Sequence, residues 1–260
     1  YALGVFYGIG GISFGVAIRY VGYSLTYAVA IGVSCVAGTL LPPLFAGQLG
    51  ATLGQRSGLF VVAGVLLGGS AMLATGWAGF RKERELATSS QPTAFNPRVG
   101  LLVCLLAGAI SAVFNFSLLA GQPIADVAAR HGAGYFQGNV IYLFSNSGAF
   151  TTTLLYTIVL ATRGRTWSEF SHAGTEGDAR LGRNYLLAAL TGLLWYLQFF
   201  FYGLGHVRMG EFQFSSWAIH MILLILLSAG FGVVIGEWRA CRPSTKYLVA
   251  CVIALLLGAV

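Results

Sequence analysis

Eight runs of apolar residues, each close to the length of a membrane crossing, constrain this chain more than anything else in it. A spanning helix needs about 20 predominantly apolar residues. That ruler places runs at 1–18, 23–45, 58–80, 99–120, 136–161, 185–205, 214–236 and 246–260. The connections between them are short. The longest, 162–184, carries Ser, Gly, Glu and Arg and reads as a flexible linker. None approaches the roughly 50 residues of a folded soluble domain, and no Gly-Lys-Ser/Thr phosphate loop is present. Charged residues make up 9% of the 260, against roughly 25% in soluble domains. Water could not solvate the surface of a chain this apolar (57% hydrophobic, mean hydropathy +0.77). A soluble enzyme, a disordered chain and a secreted disulfide scaffold are excluded. Continuous apolar runs, rather than alternating ones, point to an all-α integral membrane bundle and away from a β-barrel.

The basic residues report orientation. The first, third, fifth and seventh connections hold Arg19; Arg81, Lys82, Arg84 and Arg98; Arg163, Arg165, Arg180 and Arg183; and Arg239, Arg242 and Lys246. The second, fourth and sixth hold only Arg56, Arg130 and Arg208. Cytoplasmic connections carry the excess of Lys and Arg. The odd connections are therefore expected in the cytoplasm and both chain ends on the outer side. The charge is topological, which removes nucleic acid as a partner; lipid surrounds the bundle. Cys35, Cys104, Cys241 and Cys251 lack metal-type spacing and read as packing residues, so no metal or cofactor is expected.

A weak internal repeat adds architecture. At a shift of 188, Gly4, Gly15 and Gly22 fall on Gly192, Gly203 and Gly210; Tyr7 falls on Trp195, Phe14 on Tyr202 and Ile31 on Ile219. This relates the first span to the sixth. An odd shift inverts the copies in the membrane, as in secondary transporters with a site at the repeat interface near mid-depth. The expectation is eight transmembrane helices of a ten-helix inverted-repeat bundle. Residues 1–98 would be the last three helices of the first five-helix repeat and 99–260 the whole second repeat. The N-terminal two helices would then be missing.

Polar residues inside spans face the bundle interior or a cavity, and spacings of three and four share a face. Thr191, Trp195, Gln198 and Tyr202 form such a stripe; so do Cys104, Gly108, Ser111 and Asn115, and Asn139, Tyr142, Asn146 and Thr153. Gln213, Trp217 and His220 form another, and Gly4, Gly8, Gly11 and Gly15 a small-residue stripe suited to close helix packing. The polar stripes have two readings. One is hydrogen bonding between helices. The other is a cavity for a neutral polyhydroxylated ligand, since amides both donate and accept and Trp and Tyr offer flat apolar faces. No Arg or Lys lies mid-span to meet an anion. The candidate substrate-binding set is Trp195, Gln198, Tyr202, Asn115, Asn146, Trp217 and His220. His220, a titratable group inside a span, is the proton-coupling candidate, with a structural histidine as the alternative.

Other polar features have quieter readings. His206, beside Arg208, reads as an interface residue. Trp238 reads as an interfacial anchor, and Glu237 as the partner of Arg239 or Arg242. Asp126 and Glu211 read as solvated loop residues. Pro42-Pro43 ends the second span, as a terminus or a hinge.

The stretch Trp195-Tyr196-Leu197-Gln198-Phe199-Phe200-Phe201-Tyr202, followed by Gly205-His206, carries a family resemblance. So do Ser216-Trp217 with His220-Met221, Glu237-Trp238, Arg19-Tyr20 with Gly22, Gly38-Thr39-Leu40 with Pro43, and Lys82-Glu83-Arg84. The chain resembles the L-rhamnose–proton symporters of the drug/metabolite transporter superfamily. The resemblance implies ten helices in two five-helix halves, the bacterial inner membrane, and uptake of L-rhamnose with a proton. It supplies no site residues. The fourth and fifth spans, with Asn115 and Asn146, resemble the family less. The expected function is proton-coupled sugar import by alternating access, with sugar and proton as partners. An exporter of the same superfamily is the alternative, and an intramembrane enzyme a remote one, because no nucleophile–base or metal motif is present. Sugar identity, stoichiometry and oligomeric state are not legible.

Overall fold

In a computed structural model the chain is a helical bundle, described over residues 1–47, 50, 54, 56–86, 96–171 and 179–260. Its helices are α1 Ala2–Phe45, α2 Arg56–Leu86, α3 Pro97–Ser111, α4 Val113–Arg130, α5 Asn139–Gly164, α6 Ala179–Arg208, α7 Ser216–Val234 and α8 Pro243–Ala259. Among the described residues, seven segments are long and apolar enough to cross a membrane: Ala2–Tyr23, Leu25–Phe45, Gly58–Leu86, Arg98–Arg130, Gly134–Gly164, Leu181–Arg208 and Ser216–Val234. The shorter apolar α8 matches the eighth expected run.

The first two spans are the arms of α1. At Gly22 the backbone leaves the helical region (φ 78°, ψ 173°), a conformation open to glycine and strained for other residues. The arms fold back on each other with α3 packed against both. Along the first arm Gly10 faces Ser111 and Val21 faces Gly100; along the second, Ala30 and Val33 face Gly108. A Cβ at Gly108 would lie 2.6 Å from the Ala30 carbonyl oxygen, so the helices approach backbone to backbone.

Neighbour pairs give every helix its direction. Gly4 and Gly8 meet Ser145 and Ala149, so the first arm and α5 run parallel. Gly203 meets Asn139 while Gly138 faces Val207, so α6 runs against α5. Gly64 meets Ala259 at one end of α2 and Glu85 meets Arg242 and Thr245 at the other, so α8 runs against α2. Gly68 meets Ile222 and Lys82 pairs with Glu237, so α7 runs with α2. The eight expected runs therefore cross the bundle in alternation.

Several expectations change. The fourth span does not end at residue 120: α3 and α4 together carry the chain to Arg130, with the helix interrupted only at Ala112. The 162–184 connection is largely structured, with α5 reaching Gly164, a 3-10 turn at Trp167–Phe170 and α6 beginning at Ala179; residues 172–178 lie outside the described residues. Pro42-Pro43 lies inside α1, which ends at Phe45. The glycine stripe is split. Gly4 and Gly8 press on α5, whereas Gly11 and Gly15 have open space. Glu237 pairs with Lys82 of α2 rather than with Arg239 or Arg242, and Lys82 also lies 5.1 Å over the Trp238 ring. Gly236, at φ 77°, turns the chain after α7. Asp126 accepts from Gln122 within α4; the side chain of Glu211 lies outside the described residues.

Gly148→Val, placing a branched side chain against the Tyr1 and Val5 backbone, should lower the melting temperature in detergent by roughly 4 °C or more, as overpacking costs about 1–3 kcal/mol. Gly11→Ala, with nothing in its way, should leave it unchanged. Equal melting of both variants would refute the packing assignment.

Candidate functional site

The site grows from a defect that proline imposes on α1. In a helix the carbonyl of residue 38 accepts from the N–H of residue 42, and Pro42 has none. The Gly38 carbonyl is thus freed inside an apolar bundle, where an unpartnered polar group is costly. Asn115 of α4, itself buried, donates from Nδ2 to Gly38 O at 2.6 Å. One turn earlier, Trp217 of α7 donates from Nε1 to Ser34 O at 3.0 Å. Gly38 has no side chain because the Trp217 indole lies against it. Two predicted site residues, Asn115 and Trp217, therefore spend a donor on fastening three helices together.

Around this clamp lies a cluster of rings. Phe114, fully buried at the start of α4, lies 4.7 Å from Tyr7, 4.8 Å from Phe199, 5.6 Å from Trp217 and 6.0 Å from Tyr142, with which it stacks in parallel. Tyr202 lies 4.8 Å from the His220 ring and 5.9 Å from Trp217. Trp195 meets Phe199 edge-on at 4.9 Å but is 43% exposed, so it stands at the rim rather than inside. Gln198 is half-buried next to Phe199. On α7 the cluster lies near the helix start: Trp217 is its second residue, and His220 lies about 4.5 Å further in at 1.5 Å per residue. That end is opposite the one bearing Lys82, Glu85 and Glu237.

The polar groups in this apolar surround fall into two sets. Some are committed. Tyr202 Oη and Ser216 Oγ lie 2.9 Å apart, and Ser216 Oγ lies 2.7 Å from His206 Nδ1. His206 is thus tied to the head of α7 rather than left at the interface. Others are buried with no hydrogen-bond partner among the described residues: His220 Nε2 and both amide atoms of Asn146 and of Asn139. Asn139, Tyr142 and Asn146 follow one face of α5. Gly203 of α6 makes room there, since a Cβ on it would lie 2.6 Å from Asn139 Oδ1 and 2.9 Å from the Tyr142 ring. An amide can make four hydrogen bonds, and leaving it unpaired costs about 1–3 kcal/mol per group. Such capacity among aromatic faces suits a small neutral ligand with several hydroxyls.

The structure brings Asn115, Tyr202, Trp217 and His220 into one cluster, leaves Trp195 and Gln198 at its edge, and places Asn146 one turn beyond Tyr142 on the same face of α5. Sequence reading missed Phe114, Phe199 and Asn139 as members. Phe114 and Phe199 lie beside polar stripe positions but are themselves apolar; Asn139 shares a polar stripe with Tyr142 and Asn146. A separate cleft of about 90 Å³ between the start of α1, α4 and α5, lined by Tyr1, Ser117, Gly121, Ile141 and Phe144, includes none of the predicted residues. Among the described residues no group of His, Cys, Asp or Glu could hold a metal ion.

The L-rhamnose-proton symport protein (RhaT) family matches residues 1–260. A curated L-rhamnose-proton symporter of Cronobacter sakazakii is 31% identical over 263 residues, covering 98% of this chain and 74% of that protein. Those of Klebsiella pneumoniae and Mannheimia succiniciproducens are each 30% identical, covering 98% of this chain and 75% of theirs. No solved structure matches the chain.

Asn115→Leu should destabilise the protein by about 1–3 kcal/mol, the cost of stranding a buried carbonyl. Adding Pro42→Ala returns an N–H to Gly38 O and should recover part of that loss. A thermal double-mutant cycle in detergent checks this; strictly additive losses would refute the link.

Proposed function

The chain belongs to the L-rhamnose-proton symport protein family, and from that premise we propose that it imports a neutral sugar, L-rhamnose, together with a proton. The match along all 260 residues carries this reading. The protein is a transporter and not an enzyme: it moves its substrate without making or breaking covalent bonds in it. The aromatic cluster, with Asn146, Gln198, Trp195 and Tyr202 around it, is the proposed sugar site. Trp195 and Tyr202 offer ring faces to the sugar's C–H side, and the amides meet its hydroxyls. Asn115 and Trp217 hold the frame of that site. His220, buried and without a partner at Nε2, takes the proton.

The proposed architecture is two inverted five-helix halves, residues 1–98 belonging to the first and 99–260 forming the second, with the first half's opening helices outside this sequence. One geometric fact supports it. The 188-residue shift lays Gly22 on Gly210, and both turn the chain with positive φ, at 78° and 55°. Each lies between the two spans that the repeat pairs with the two of the other copy. Proposed repeat mates also pack together, the second arm of α1 on α7 and α2 on α8. The bundle would lie in the bacterial inner membrane with its Lys- and Arg-rich connections in the cytoplasm, supported by the charge alternation. Alternating access follows if one half rocks against the other. The energy suffices: about 2.3 kcal/mol per proton per 100 mV, at about 1.4 kcal/mol per factor of ten, sustains roughly 40-fold accumulation.

Full-length protein in proteoliposomes should take up labelled L-rhamnose when an inward proton gradient is imposed. His220→Ala should cut that uptake at least tenfold. Asn146→Ala should raise KM by roughly tenfold, about 1.4 kcal/mol. Uptake indifferent to the gradient would remove the proton role, and no uptake of L-rhamnose would remove the sugar assignment.

A further inference from the structure

The geometry points to a proton path from the surface to His220, running through His206, Ser216 and Tyr202. It rests on the symport reading above and adds the route. His206 lies in the last turn of α6 and is half-buried. Its Nδ1 lies 2.7 Å from Ser216 Oγ, and the same oxygen lies 2.9 Å from Tyr202 Oη. Ser216 and His220 are four apart at the head of α7, so they share a face. The Tyr202 ring lies across that face, 4.8 Å from the His220 ring centre and 5.8 Å from that of His206. Four groups able to hold or pass a proton thus form a line between two helices, in a wall otherwise built of Phe199 and Trp217. The line ends at a buried ring nitrogen that no group among the described residues satisfies.

The transfer balances. A proton from solution binds His206 Nε2, and the Nδ1 proton passes to Ser216 Oγ. The Ser216 hydroxyl proton passes to Tyr202 Oη. The Tyr202 hydroxyl proton passes to His220 Nε2 when the imidazole turns about its Cβ–Cγ bond. Each hydroxyl ends with one proton, His206 ends neutral, and His220 carries the new charge. No electrons change hands; hydroxyl rotation resets Ser216 and Tyr202, and proton exchange with solution returns His206 from the Nε2–H to the Nδ1–H tautomer, ready for the next transfer. Among the described residues, the other ionisable groups beside it are the Tyr142 hydroxyl, which lies against Gly203, and Arg208, two residues past His206, whose guanidinium is turned over the Tyr135 ring at 4.3 Å. Ser216 is the link that both neighbours need, and the path assigns it no contact with sugar.

The test separates proton movement from sugar movement in full-length protein in proteoliposomes. Two quantities are read: proton influx triggered by external L-rhamnose, with a trapped pH dye, and L-rhamnose exchange at equal pH on both sides. Ser216→Ala should lower proton influx at least tenfold and leave exchange within twofold. Ser216→Thr, which keeps the hydroxyl, should restore influx, and His206→Gln should match Ser216→Ala. Parental influx in Ser216→Ala would overturn the path. Loss of exchange together with influx in that variant would also overturn it, because the hydroxyl would then be structural. Absence of L-rhamnose-triggered influx in the parent would instead sink the symport reading, and the path with it.

Discussion

A backbone carbonyl with no N–H to meet it cannot be left inside an apolar bundle, and Gly38 presents one because Pro42 lies a turn away. The response organises the site. Asn115 comes from α4 to supply the missing donor, and Trp217 comes from α7 to bond Ser34 a turn earlier. Phe114 then follows Asn115 into the interior, and the rings of α5 and α6 close around it. The fastening uses backbone acceptors on α1 rather than side chains. It therefore depends on where the prolines fall and on the glycine that lets Trp217 approach.

This division explains how the polar stripes resolve. The sequence offered two readings for them, bonding between helices or lining a cavity; the structure shows the first for Asn115 and Trp217, and the second is the reading proposed for the others. His220, Asn139 and Asn146 are half-buried, and each carries buried polar atoms that no partner meets among the described residues, the unspent capacity that the proposed hydroxyl-rich solute would use. Tyr202 joins the two sets, bonded to Ser216 through its hydroxyl and packed on His220 through its ring.

The spans were legible because bilayer thickness sets their length, and their alternation was legible because basic residues mark one side. The proposed 188-residue repeat, weak in identity, is supported by two turn-forming glycines that it lays on each other. What could not be read was pairing. Glu237 has two arginines close by in sequence, yet Lys82, 155 residues away, is its partner. Gly11 and Gly15 follow the same spacing as Gly4 and Gly8, but α5 covers only the latter pair. Periodicity fixes which residues share a face, not which helix that face meets. Phe114 and Phe199 escaped notice for a related reason: in a chain this apolar, a phenylalanine carries no signal of its own.

The last turns of α2 fasten both ends of the connection between α7 and α8. Lys82 holds Glu237 just after α7, and Glu85, three residues on, accepts from the Arg242 N–H and the Thr245 hydroxyl where α8 begins. The three helices are thereby yoked like a lever whose grip lies at one tip. The two fastenings differ in kind. The ion pair is partly exposed, with side chains 22% and 41% accessible, and such pairs weaken as salt screens them. Glu85 instead holds a backbone N–H at a helix start, where the dipole also favours its charge. Of the two, the grip on α7 is the one that ions loosen first, so the lever sheds α7 before it sheds α8.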